Sequence, residues 1–189
     1  MSFRVALVLL IAFRLNGQND WPVYGHDPGG QRYSPLRQIT PKNVAKLERA
    51  WTFHSGKAGS QVTPLVIGGI MYITAPNGIY ALEPETGKVL WKHALAGIVT
   101  RRGVAYWPGD KNTHPRVYAS AGSDLVALDV TTGKPATGFG KEGLVDMKKG
   151  VLGDLADARL SMASPPTIYK DILITGSNNN EPAPATGAY

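Results

Sequence analysis

An internal repeat constrains the fold of this chain more than any other feature. One block runs Tyr72-Ile73-Thr74-Ala75, Asn77-Gly78, Ile79-Tyr80-Ala81-Leu82-Glu83, Glu85-Thr86-Gly87-Lys88 and Val89-Leu90-Trp91. A second runs Val117-Tyr118-Ala119-Ser120, Gly122-Ser123, Leu125-Val126-Ala127-Leu128-Asp129 and Thr131-Thr132-Gly133-Lys134. Tyr72 and Tyr118 are 46 residues apart, as are Ala81 and Ala127. A third block, Pro166-Thr167-Ile168-Tyr169-Lys170-Asp171-Ile172-Leu173-Ile174, copies Pro64 to Tyr72. Ile174 follows Tyr118 by 56 residues instead of 46, so extra chain is expected within residues 138–157.

Each block reads as short apolar strands separated by tight turns. Gly68-Gly69 and Asn77-Gly78 are read as hairpin turns, because Gly and Asn tolerate positive φ. In Asp-x-x-Thr-Gly the acid accepts from turn amides and the glycine takes a left-handed conformation. Trp91 then supplies a large flat surface that can pack against a neighbouring sheet. A period near 45 with several strands and a recurring aromatic indicates an all-β propeller. The 22 glycines and 14 prolines favour short strands over helices, which disfavours a strand-and-helix solenoid. Helix is expected only over residues 41–47, with Thr40 as N-cap and Pro41 first, and around residues 152–160.

Function classes narrow in parallel. The net charge is +6, but the basic residues are scattered, whereas a nucleic-acid surface needs them on one stripe or face; no nucleic-acid partner is expected. The absence of cysteine excludes disulfides, thiolate nucleophiles and Cys-based metal or haem attachment. His26, His54, His93 and His114 show no metal-binding spacing, and no phosphate-loop, dinucleotide or serine-hydrolase motif occurs. Residues 1–17 pair Arg4 with an apolar run over residues 5–13. That is the layout of a secretory signal and is too short to span a bilayer. The chain is therefore expected to be exported, with its folded domain over residues 20–189 and repeats near 61–91, 114–137 and 164–189.

Three segments resemble the PQQ-dependent (quinoprotein) alcohol and glucose dehydrogenases, whose cofactor is pyrroloquinoline quinone. The opening Trp21-Pro22-x-Tyr24-Gly25-x-Asp27, followed by Arg32-Tyr33-Ser34-Pro35-Leu36, Gln38-Ile39-Thr40 and Ala50-Trp51-Thr52, is similar to that family's N-terminal signature. The Ala81 to Trp91 block resembles its tryptophan-docking repeat, which non-enzymatic propellers share. Arg102-Gly103-Val104-Ala105-Tyr106-Trp107 is similar to the strand after its cofactor-facing loop. The resemblance implies the first blades of an eight-bladed propeller. It also implies PQQ with Ca2+ and oxidation of an alcohol or sugar hydroxyl, with electrons passed to quinone or cytochrome. A periplasmic location, with peripheral inner-membrane association, is expected on the same grounds. The vicinal cysteine pair of the methanol branch is absent, so the sugar and quinone-reducing branches look closer.

Carried over by motif, Arg102 matches the arginine that reaches the quinone oxygens, a role suited to a planar, permanently charged donor. Gln61 stands where many members carry Glu. Ser164, in Ala163-Ser164-Pro165-Pro166, stands beside an alanine where many members have a cofactor-touching threonine. Asn178 and Asn179 match cofactor contacts. Glu181 matches a metal-ligating glutamate, and a carboxylate with amide carbonyls suits Ca2+. The family's catalytic aspartate has no counterpart here and is expected downstream, so this chain is read as an N-terminal part, inactive alone. The competing readings are a non-catalytic propeller scaffold and a sugar-binding propeller. Neither needs a cofactor-facing arginine.

Overall fold

The computed structural model describes residues 20–56, 61–149, 151 and 160–178. The expected leader and most of the expected helix at 152–160 lie outside them. Two four-stranded antiparallel sheets and a two-stranded one follow in chain order. The first comprises β1 (Leu65–Ile67), β2 (Ile70–Ala75), β3 (Gly78–Leu82) and β4 (Val89–Ala94). The second comprises β5 (Ala105–Trp107), β6 (Arg116–Ala121), β7 (Asp124–Asp129) and β8 (Leu144–Asp146), and the third β9 (Thr167–Tyr169) and β10 (Ile172–Ile174).

Alternation along the central strands buries both faces of each full sheet. Tyr72, Ile79 and Ala81 point one way and meet Val117, Ala119, Val126 and Leu128 of the second sheet. Ile73, Ala75, Tyr80 and Leu82 point the other way, onto Trp51, Phe53 and Val62. Tyr118 and Ala127 face Ile168 and Leu173 of the third sheet. The sheets thus stack face to face in sequence, as propeller blades do.

The acid-to-glycine corners form as the sequence predicts. Asp129 Oδ1 accepts from the amides of Thr131 (3.0 Å) and Thr132 (2.8 Å) and from the Thr132 hydroxyl (2.9 Å). In the first sheet the Thr86 hydroxyl donates to the Glu83 carboxylate. Each corner receives an indole from the preceding element. Trp91 Nε1 donates to Val130 O at 2.9 Å and Trp51 Nε1 to Pro84 O at 2.9 Å. The rings lie on Gly133 and Gly87, where an added Cβ would stand 2.5 Å from ring carbon. Both glycines also have positive φ (66° and 71°). The Tyr72 hydroxyl shares Val130 O at 3.3 Å, and burial, with Tyr106 and Asp129 nearby, pushes its pKa up to about 12.

Burial of Asp129 opposes its ionisation, but the Thr132 and Thr131 donors and His114 outweigh it and hold the carboxyl below the usual range. A depressed folded-state pKa stabilises above the unfolded-state value and is lost as pH falls through the folded value. We therefore expect urea midpoints to fall on acidification below about pH 4. Asp129→Ala should lower the neutral-pH midpoint and flatten that acid limb.

Three expectations are corrected. Ala75 pairs with Gly78, so Pro76-Asn77 is the two-residue turn and Gly78 opens β3 instead of closing a turn with Asn77. The helix over 41–47 is a turn followed by one 3-10 turn, Val44–Lys46. Thr40 does not cap it: the Asn43 side chain accepts the Thr40 amide (2.7 Å) and donates to Gln38 O (2.7 Å), so the local side chain competes with helical pairing. In the second sheet, Pro135 pairs with Leu128 as Val89 pairs with Leu82. Proline has no N–H with which to continue a ladder. The chain loops out after Ala136, and β8 takes over the edge of β7.

Candidate cofactor site

The first strands of the three sheets, β1, β5 and β9, are each preceded by an irregular lead-in, and these lead-ins carry Gln61, Arg102 and Ser164. Along β6, Ala105 pairs with Tyr118 but Val99 pairs with Ala121. The partner strand therefore advances three residues while the lead-in advances six. The excess forms a bulge at residues 100–103, and bulges re-aim side chains next to functional sites. Arg102 sits on this bulge. The third sheet repeats the device: Thr167 pairs with Ile174 and Ser161 with Asn178, leaving Ser164 in the excess segment.

The bulges meet across the boundary between sheets, where Arg102 Nη1 donates to Ser164 Oγ at 3.2 Å. Gly103 makes the approach on the other side possible. It is buried with φ 101°, and a Cβ there would stand 2.8 Å from Thr63 O and 3.7 Å from Val62. The arginine bulge is thereby wedged between the lead-in that carries Gln61 and the one that carries Ser164. Gln61 is exposed at the start of its lead-in. The Asn178 amide donates to Ser161 O at 2.8 Å, which places Asn178 on the strand paired with the serine lead-in. Asn179 and Glu181 lie outside the described residues.

Sequence reasoning missed two hydroxyls beneath this contact. Thr100 and Ser120 are buried (3% and 0% exposed). Thr100 Oγ1 donates to Ala163 O at 2.7 Å, and Ser120 Oγ lies 3.2 Å from Ser164 O and 3.4 Å from Met162 O. Ser120 occupies the repeat position of Thr74, which was legible from the period. Its partners, 42 and 44 residues away in the chain, were not.

The electrostatics suit an anion. Arg101 and Arg102 are both exposed, and among the described residues the ion pairs are His26–Asp27 and His114–Asp129, so neither arginine faces a carboxylate. An exposed guanidinium set against a hydroxyl across the boundary between two sheets offers a charged planar donor and a neutral polar group to an anionic ligand. Among the described residues no cluster of three metal-ligating side chains occurs.

Residues 21–187 match the family described as PQQ: glucose/ethanol/alcohol dehydrogenase, beta-propeller domain. The chain belongs to this PQQ-dehydrogenase propeller family. Curated relatives agree: it is 32% identical over 178 residues to the glycerol dehydrogenase large subunit of Gluconobacter oxydans (strain 621H), which covers 82% of this chain and 24% of that protein. It is 34% identical to quinoprotein glucose dehydrogenase A of Acinetobacter calcoaceticus (70% of this chain, 21% of that protein). It is 33% identical to methanol dehydrogenase [cytochrome c] subunit 1 of Paracoccus denitrificans (86% and 26%). A solved quinohemoprotein alcohol dehydrogenase from Pseudomonas putida HK5 superposes with a TM-score of 0.67 at 27% identity, over 85% of this chain and 23% of that one. The chain thus spans about a quarter of the length of these PQQ-dehydrogenase relatives. Its stacked sheets are the blades of a partial propeller.

Proposed function

We propose that this chain forms the opening blades of an exported quinoprotein dehydrogenase that oxidises an alcohol or sugar hydroxyl. The observation that carries this reading is the Arg102 guanidinium, unpaired by any carboxylate among the described residues and set against Ser164 where two blades meet. PQQ, when bound, supplies a two-electron acceptor for the substrate's carbinol. Arg102 donates to its oxygens and keeps its charge at every working pH. Ser164 and Gln61 add neutral polar partners, and Asn178 and Asn179 are assigned as further contacts on the strength of the family motif. Glu181 is assigned to a Ca2+ that the carboxylate and nearby carbonyls would hold. Electrons pass on to quinone or cytochrome; one relative, from Thauera butanivorans, is named as a cytochrome c-linked 1-butanol dehydrogenase. The leader over residues 1–17 supports a periplasmic location, with peripheral association at the inner membrane.

Two measurements test this. PQQ titrated into the 189-residue polypeptide should quench its tryptophan fluorescence saturably, and a linear, non-saturating response would count against the site. The same polypeptide with PQQ and Ca2+ should reduce no dye, because it spans only a quarter of its relatives. Sustained turnover would show that these residues suffice.

A further inference from the structure

The two buried hydroxyls beneath the Arg102–Ser164 contact are not a general requirement of the repeat. Thr74 holds in the first blade the position that Ser120 holds in the second, since Tyr72 and Tyr118 are equivalent. Thr74 is equally buried, yet among the described residues its Oγ1 has no hydrogen-bond partner. The same hydroxyl position is therefore unused at the first blade boundary and used at the second, where the cofactor residues meet.

At that second boundary the bonding spans both bulges. Thr100 Oγ1 gives its proton to Ala163 O and lies 3.4 Å from the Arg102 amide, which it can accept. Ser120 has one proton to share between Ser164 O and Met162 O. Pro165 and Pro166 follow and donate no amides, so the serine bulge depends on its acceptors being met from the neighbouring blade. Low local dielectric makes such buried bonds strong when made and costly when broken.

We infer that Thr100 and Ser120 are positioning residues. They clamp the main chain of residues 162–164 to the arginine bulge, so that the Arg102 guanidinium and the Ser164 hydroxyl reach an anionic ligand as one preformed unit. The part of this inference that concerns PQQ rests on the function proposed above; the clamp itself does not.

The test uses the 189-residue chain and Thr100→Val, which keeps shape and removes the hydroxyl. Without ligand, amide hydrogen exchange in residues 160–164 should accelerate about tenfold, as expected for one lost buried hydrogen bond. Thr100→Ser should restore the wild-type rate. Ser120→Ala should accelerate the same segment and serves if Thr100→Val does not fold. Thr74→Val is the matched control: it removes an unsatisfied hydroxyl, so it should leave exchange in residues 160–164 unchanged and raise the melting temperature slightly. In PQQ titrations, Thr100→Val should weaken binding about tenfold and Thr100→Ser should recover it, since rescue by a hydroxyl alone marks positioning rather than packing. Unchanged exchange in both Thr100→Val and Ser120→Ala would overturn the clamp. Altered exchange with unchanged PQQ affinity would reduce it to a structural bond. If the wild-type chain bound no PQQ while exchange responded as predicted, the cofactor reading would fail and the clamp would stand.

Discussion

Arg102→Ala is expected to weaken PQQ binding by about a hundredfold, since truncating one partner of a hydrogen-bonded charge pair costs about 2–5 kcal/mol. The side chain is exposed and, among the described residues, its hydrogen bond is to the neutral Ser164 hydroxyl, so the fold should not suffer and the melting temperature should move by less than a degree or two. Arg102→Lys keeps the charge but not the planar fork, and should recover only part of the affinity. Arg101→Ala separates the two adjacent cations. If Arg101 carried the interaction, its removal and not that of Arg102 would abolish saturable quenching.

Gly133→Val is expected to destabilise the chain by about 3–5 kcal/mol, read as a drop in urea midpoint. Two costs combine. The residue has φ 66°, which a β-branched side chain adopts only under strain. Its Cβ would also stand 2.5 Å from the Trp91 ring, so the indole must leave its seat and lose the 2.9 Å bond to Val130 O. For a domain with about 5–15 kcal/mol in total this is a large fraction. The two mutations should not be additive. In a Trp91→Ala background the clash is already gone, so Gly133→Val should cost only its backbone strain. Full additivity would show that the indole does not rest on this corner.

The parts of this architecture that were legible in sequence are those that repeat. Ala-Leu-(Asp/Glu)-x-x-Thr-Gly recurs because each corner does the same work: it folds on its own carboxylate and offers a bare glycine to an indole. Trp91 and the Gly68-Gly69 turn could be placed for that reason. What does not recur was less visible. β5 lies outside the second repeated block, and its bulge exists only because six residues run alongside three. The Thr100 and Ser120 hydroxyls look like any strand residues until the partner 63 or 42 positions on is known. The stretch over 41–47 carried ordinary helix-start signals, but the Asn43 side chain satisfies the local backbone groups in a turn instead. Arg102 stood out as a candidate from its Gly-Val-Ala-Tyr-Trp context. Its contact with Ser164 was not, because it joins residues 62 apart across two blades.

The most direct test is to map where PQQ lands. Amide chemical shifts of the 15N-labelled chain, followed as PQQ is added, should move together at residues 61–63, 100–104 and 162–164, the arginine bulge and the two lead-ins that flank it. Shifts concentrated instead in the groove lined by Asp110, His114 and Thr132 on the second blade, or scattered without saturation, would contradict a quinone site at this end of the strands.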